Sequence, residues 1–202
     1  MLVMDTGQRL TLTPPSGALR PPRRTRCRSV HAIPSLNRDA PAGGVNNREM
    51  LEIRKESLES EAATRLIGAL NVELRGAYPE PGANHFRLDA EEIGEGRGAF
   101  VVAYEDGRAV GCGGLRKLDE ETAELKRMYV TPEARGKGIG KAVLAMLEEE
   151  ARKLQVNRIV LETGIRQTAA AAMYHRAGYR NIAPYGEYTL SAATSICMEK
   201  VL

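Results

Sequence analysis

The residues with the plainest chemical meaning lie together: Arg135, Gly136, Lys137, Gly138, Ile139 and Gly140, with Lys141 next. A strand-like run precedes them and a helical pattern follows. A helix start offers unpaired backbone N–H groups and the positive end of a dipole. Glycine lets the backbone come close to an anion, and Arg135 and Lys137 add charge. The chemistry to expect is capture of a phosphate or diphosphate. Two familiar loops fit poorly. A nucleoside-triphosphate loop needs Gly at 135 and Ser or Thr after Gly140-Lys141, where Ala142 stands. A dinucleotide fingerprint needs Gly at 141 and an opening parallel βαβ unit. A glycine turn with no ligand is the plain alternative.

The elements that must position this loop read as follows. Leu51–Arg54 alternates like a strand, and Ser57–Arg75 repeats apolar residues at helical spacing. Residues 78–84 hold Pro79, Pro81 and Gly82 and read as a loop. Strands follow at Phe100–Tyr104, Ala109–Leu115 and Thr122–Val130, the first two joined by the hairpin signal Asp106-Gly107. After the loop comes a helix over Ile139–Leu154, with Glu148–Arg152 and Glu149–Lys153 expected as ion pairs on its wet side. A short buried strand at 158–162 and a helix at 168–176 ended by Gly178 come next. Two last strands fall near 179–182 and 195–201. The fold class is α+β: a mixed, mostly antiparallel central sheet flanked by helices.

Three stretches in this order resemble the GNAT superfamily of N-acetyltransferases: Arg135-x-x-Gly138-x-Gly140, the strand from Glu124 to Pro132, and Ala172-Met173-Tyr174-His175-Arg176-Ala177-Gly178-Tyr179. The resemblance covers about residues 51–202. It implies a GNAT-like sheet and transfer of an acetyl group from acetyl-CoA to a primary amine of a small molecule or peptide by direct attack. It also implies roles. The backbone of Met128, Tyr129 and Val130 would pair with the pantetheine arm as an added strand, and one N–H would polarise the acetyl carbonyl. Backbone N–H groups from Gly136 through Lys137, Gly138, Ile139 and Gly140 to Lys141 would hold the pyrophosphate beside Arg135. Tyr174 would protonate the departing thiolate, since a phenol keeps its proton at neutral pH. Glu124 would act as base through water, and strand alternation would put it on one face with Lys126, Met128 and Val130. Gln167 stands where the motif often carries Asn, one methylene longer, and would touch the cofactor arm. The other reading of the same fold is a non-catalytic acetyl-CoA sensor or interaction module.

The acceptor side says less. Pro184-Tyr185-Gly186-Glu187-Tyr188 is aromatic and acidic and could cradle a cation. Arg87 and Arg166 suit an acceptor that also bears a carboxylate. These expectations pull in different directions.

Composition bounds the rest. The chain has 202 residues, 43% of them apolar, with no Trp and two Phe, so the core must be aliphatic. Residues 1–49 carry eight Arg against Asp5, Asp39 and Glu49, which leaves the remainder mildly acidic although the total is +3. That excludes a basic nucleic-acid-gripping body, and no apolar run reaches membrane-spanning length. Cys27, Cys112 and Cys197 make neither a disulfide framework nor a metal pair. With His31, His85 and His175 scattered, no metal is expected. A reducing, cytoplasmic setting follows, and a homodimer stays open. Residues 1–49, rich in Arg and Pro, read as a disordered extension to a domain at 50–202. The same segment also suits an upstream extension before Met50, or an organellar transit peptide.

Overall fold

The computed structural model describes residues 50–80 and 88–202. Residues 1–49, part of the 78–84 loop, and Arg87 and His85 lie outside the described residues, so the expectations placed on them stand as stated. Among the described residues no helix is long and apolar enough to cross a membrane.

The chain runs β1 (Leu51–Lys55), α1 (Glu61–Ala77), β2 (Gly98–Glu105), β3 (Arg108–Lys117), β4 (Thr122–Val130), α2 (Ile139–Lys153), β5 (Arg158–Gly164), α3 (Thr168–Arg176), β6 (Arg180–Ile182) and β7 (Ser195–Val201). Short 3-10 turns stand at Ala90–Ile93, Pro132–Ala134 and Gly186–Ser191. One seven-stranded sheet has the order β1-β2-β3-β4-β5-β7-β6. All its neighbours are antiparallel except β4 and β5. The β2–β3 hairpin turns at Asp106 and Gly107, whose φ values of 50° and 78° are the two positive angles a type I′ turn needs.

Local chemistry adjusts the expected element ends. α1 begins at Glu61 rather than Ser57, because the Ser57 hydroxyl accepts the Glu59 N–H and turns the chain first. Ser60 then caps the helix, its hydroxyl accepting the Ala63 N–H at 3.1 Å. On α2 the expected wet-side pairs do not form. Glu148 is buried and takes Lys200 at 2.7 Å. Glu150 is buried and takes Lys55 and Lys153, while Glu149 pairs with Arg152 three residues on.

The sheet buries a core on each face. On one side Leu125, Ile159 and Leu161 pack against Val143, Leu144 and Leu147 of α2 and Tyr174 of α3. On the other, Phe100, Val102 and Tyr129 pack against Leu66 and Leu70 of α1. Each such fully buried aliphatic side chain contributes about 1.5–3 kcal/mol. Cys112 and Cys197 are core residues in this frame.

One irregularity corrects the alternation expected along β4. The β3–β4 register runs Cys112↔Tyr129 and then Gly114↔Lys126, so Gly113 alone faces Arg127 and Met128. Arg127 sits at φ 60°, and the Cys112 thiol donates to its carbonyl. This is a β-bulge, and one extra residue reverses the parity of the strand. Met128 and Val130 therefore join Ala123 and Leu125 in the core beneath α2. Glu124 and Lys126 lie on the opposite face, the side of α1 and Tyr129.

Candidate functional site

β4 and β5 are paired only from Thr122↔Arg158 to Leu125↔Leu161. Beyond that point the two strands part, and the edge of β4 from Lys126 to Val130 has no β5 residue beside it. On its other edge β3 remains attached up to Gly111↔Val130. The fork thus leaves a short stretch of β4 with no neighbouring strand on that edge. A cleft opens there. Lys126, Arg127 and Met128 line it from β4, Glu162, Thr163 and Gly164 from β5, Gln167 and Tyr174 from the α3 region, and Tyr78 and Tyr188 from its rim.

The glycine loop closes one end of this fork. Gly136 and Gly138 have φ 82° and 85°, and Gly138 is the N-cap of α2 without any side chain to satisfy the helix N–H groups. A Cβ on either glycine would meet nothing within 4 Å, so the loop faces open space. Ile139 is buried against Gly111, leaving only its backbone to offer. At Gly140 a Cβ would come 3.1 Å from Met173 Sδ and 3.6 Å from Val130 Cγ2, so the first turn of α2 is wedged between α3 and the free part of β4. Arg135 and Lys137 are turned to carboxylates: Arg135 to Glu73 at 2.6 Å and to the Val130 carbonyl, Lys137 to Glu105 at 2.9 Å. Lys141 is exposed. The loop's anion-holding capacity rests first on backbone N–H groups and the helix dipole.

Tyr174 is buried against the ring of Tyr179, edge to face at 5.8 Å, and lines the cleft. Burial, and then the charge of Glu162, push its phenol above the usual range. It therefore holds its proton at neutral pH. Its hydroxyl has no hydrogen-bond partner among the described residues. His175 beside it is exposed, its Nδ1 against the Tyr179 carbonyl. The Gln167 carbonyl accepts the Gly164 N–H and the Thr163 hydroxyl, so this amide closes the β5–α3 turn at the cleft wall.

Glu124 lies in the interior of the sheet. It is 1% exposed. Arg116 donates from Nε to Oε2 at 2.7 Å, its Nη2 stands in ion-pair contact with the same oxygen at 2.7 Å, and Tyr185 and Tyr188 donate to Oε1 at 2.8 and 2.9 Å. Lys126, 6% exposed, stands 3.9 Å away and bonds Glu187. Burial, then the Glu124 charge, raise both phenols well above their usual range. The aromatic stretch thus holds a cation of this chain: Lys126 Nζ is 5.5 Å from the Tyr188 ring centre, and Tyr185 packs edge-on to Tyr188. Arg166 is likewise committed, to Glu80, to the Ala77 carbonyl and to the face of Tyr78.

Several of these residues were not singled out by sequence. Lys126 and Arg127 are ordinary polar residues of a half-buried strand until the bulge sorts them. Glu162 carried a readable signal, because it ends the apolar run Ile159-Val160-Leu161 with a charge.

Comparison with known proteins shows the family and the fold. Residues 62–179 match the model of the Acetyltransferase (GNAT) family. An IAA acetyltransferase of Azospirillum brasilense is 37% identical over 152 residues, spanning 74% of this chain and 97% of that protein. Among solved structures, a candidate acyl-CoA N-acyltransferase from Klebsiella pneumoniae superposes with TM-score 0.61 at 32% identity, over 76% of this chain and 98% of the other. The PaiA N-acetyltransferase of Thermoplasma acidophilum, solved with coenzyme A, gives TM-score 0.57 at 22% identity over 76% and 99%.

Proposed function

The chain belongs to the GNAT acetyltransferase family and is an acyltransferase, and from that premise we propose that it moves an acetyl group from acetyl-CoA to a primary amine of a small molecule or peptide. The observation that carries this reading is the stretch of β4 from Lys126 to Val130, from which β5 has parted, meeting at one cleft the N-terminus of α2, which no side chain caps. A pantetheine arm, itself amide-bearing, suits such an edge as an added strand. A diphosphate suits the N–H groups of Gly136 to Lys141 and the open space around Gly136 and Gly138.

Acetyl-CoA supplies an acetyl group already activated as a thioester. Residues of this chain do the rest. A backbone N–H in the Met128–Val130 segment donates to the carbonyl oxygen as it gains charge; one such donor is worth about 10²–10³ in rate. Tyr174 presents its proton to the sulfur as the C–S bond breaks. Gln167 shapes the wall beside the arm by fixing the Gly164 turn. Glu124, buried and bonded to three donor groups, anchors Arg116 and the Tyr185–Tyr188 pair that form the acceptor wall. Holding donor and acceptor together can supply an effective molarity of about 10⁵–10⁸ M.

The test has two arms. Calorimetric titration of the folded protein with coenzyme A should show saturable heat, and a free-thiol assay across a panel of primary amines should show acceptor-dependent release. Without binding, the proposal fails. Binding with no thiol release for any amine would leave a non-catalytic coenzyme A module.

A further inference from the structure

A row of charges runs into the cleft from the acceptor wall. Glu92 bonds Arg116, Arg116 meets Glu124 at 2.7 Å, Lys126 lies 3.9 Å from Glu124, and Glu187 ends the row 3.2 Å from the Lys126 ammonium. The signs alternate. As far as Lys126 they cancel, so the inner part of the row ends on a buried positive charge, and such a charge is costly without an anion beside it. Glu187 supplies that anion from the Gly186–Ser191 turn, where its side chain is 41% exposed. Their contact is longer than the roughly 2.7–2.9 Å of a tight ammonium–carboxylate bond. Lys126 lines the cleft, and so does Arg127, which bonds Asn71 of α1 at 3.1 Å. Among the described residues the charged lining is these two cations and one carboxylate, Glu162, a balance that favours an anionic group on whatever enters. Arg166, the cation expected to meet an acceptor carboxylate, is engaged by Glu80 instead.

Resting on the acetyl-transfer reading above, we propose that Lys126 selects the acceptor: its ammonium receives a carboxylate of the incoming amine in the place that Glu187 occupies here. The acceptor class is then a primary amine that also bears a carboxylate, an amino acid in the broad sense. The exchange conserves charge. One carboxylate leaves Lys126 for solvent as another arrives, and the buried ammonium is never left uncompensated. Glu187 is exposed enough to be rehydrated when it lets go. A neutral acceptor offers no replacement anion, so displacing Glu187 would strand the ammonium. The Lys126–Glu187 pair therefore discriminates by repulsion as well as attraction: it yields to an anion and resists a neutral or cationic group. Tyr188 steadies the ammonium during the exchange, its ring centre 5.5 Å from Nζ and its hydroxyl donating to Glu124.

The experiment measures kcat/KM for matched acceptors, straight-chain ω-amino acids and their primary carboxamides, in wild type, Lys126→Met, Lys126→Arg and Glu187→Gln. Melting temperature and coenzyme A affinity are measured alongside. The readout is the acid-to-amide ratio, and comparing that ratio between proteins cancels any difference in amine basicity within a pair. A hydrogen bond between charged groups implies a ratio about tenfold or more lower in Lys126→Met than in wild type, with Lys126→Arg recovering part of it. Glu187→Gln removes the competing anion and should raise the ratio about threefold. A Lys126→Met ratio within about two-fold of wild type overturns the proposal, because an equal loss on acid and amide marks Lys126 as a brace for the turn. An unchanged or lower ratio in Glu187→Gln overturns it too, as does a wild type that acetylates other primary amines but none of the acids. Glu187→Gln alters an exposed side chain, so it decides the matter alone if Lys126→Met does not fold. Each of these results leaves acetyl transfer itself standing. Absent thiol release in the wild type with every amine would instead sink the underlying reading.

Discussion

Replacing Glu124 by Gln separates a structural anchor from a base. The carboxylate accepts the Arg116 Nε–H at 2.7 Å, lies in ion-pair contact with Nη2, and accepts two phenol O–H bonds at 2.8 and 2.9 Å. Gln keeps one oxygen for the phenols but turns an NH₂ toward Arg116. That guanidinium, 17% exposed, is left with Glu92 alone. Removing one partner of a buried pair costs about 3–5 kcal/mol, and the surviving Glu92 contact favours the lower figure, about 3 kcal/mol. For a folded part of this size, each kcal/mol moves the midpoint by about 2–4 °C, so Glu124→Gln should melt about 6–12 °C lower. Differential scanning calorimetry reads this directly. A cycle with Arg116→Met should give a coupling above about 1 kcal/mol, because the second change removes the orphaned charge. Turnover per folded molecule should keep the wild-type pH profile. A Glu124→Gln protein that melts within about 1 °C of wild type yet loses about 100-fold in kcat would refute this and restore Glu124 as the base.

Tyr174→Phe should lower kcat by about ten-fold or more while leaving coenzyme A affinity unchanged; an unchanged kcat in the thiol assay removes the phenol from the mechanism. Gly113→Ala should cost about 1–3 kcal/mol in urea unfolding, since its Cβ would lie 2.5 Å from Met128 Sδ and 2.9 Å from Val143 Cγ1. Because Met128 must give way, coenzyme A binding should weaken too. Alkaline stability follows from Tyr174, Tyr179, Tyr185 and Tyr188, all raised by burial first. Unfolded, these phenols ionise near 10 while the folded ones keep their protons, so the unfolded state binds fewer protons there. Stability is complete below pH 10 and falls above it by about 1.4 kcal/mol per pH unit for each such tyrosine. A flat urea midpoint from pH 9.5 to 11 would contradict this.

The glycine loop, the helix after it and the Asp106-Gly107 hairpin were legible because their causes are local: positive φ, helix spacing and turn chemistry belong to consecutive residues. The mixed sheet was legible from the order of elements. The β4 alternation failed because a bulge arises between strands. Nothing in Lys126-Arg127-Met128 announces that Gly113, far away in sequence, faces two residues instead of one. The partners of Glu124 were not legible for a similar reason, since they come from Arg116 on another strand and from Tyr185 and Tyr188, some sixty residues later. The 3-10 turn at Gly186–Ser191 carries no periodic signal, so its tyrosines read as an open aromatic patch.

The single inserted residue at Arg127 divides one strand into two independent working surfaces. Upstream substitutions at Glu124 or Lys126 reshape the wall on the α1 side, and downstream ones at Met128 or Val130 touch the ledge beneath α2. On the proposed reading the two surfaces are the acceptor wall and the donor ledge, each open to substitution from its own half of the strand, and removing Arg127 would return Met128 and Val130 to the parity of Glu124.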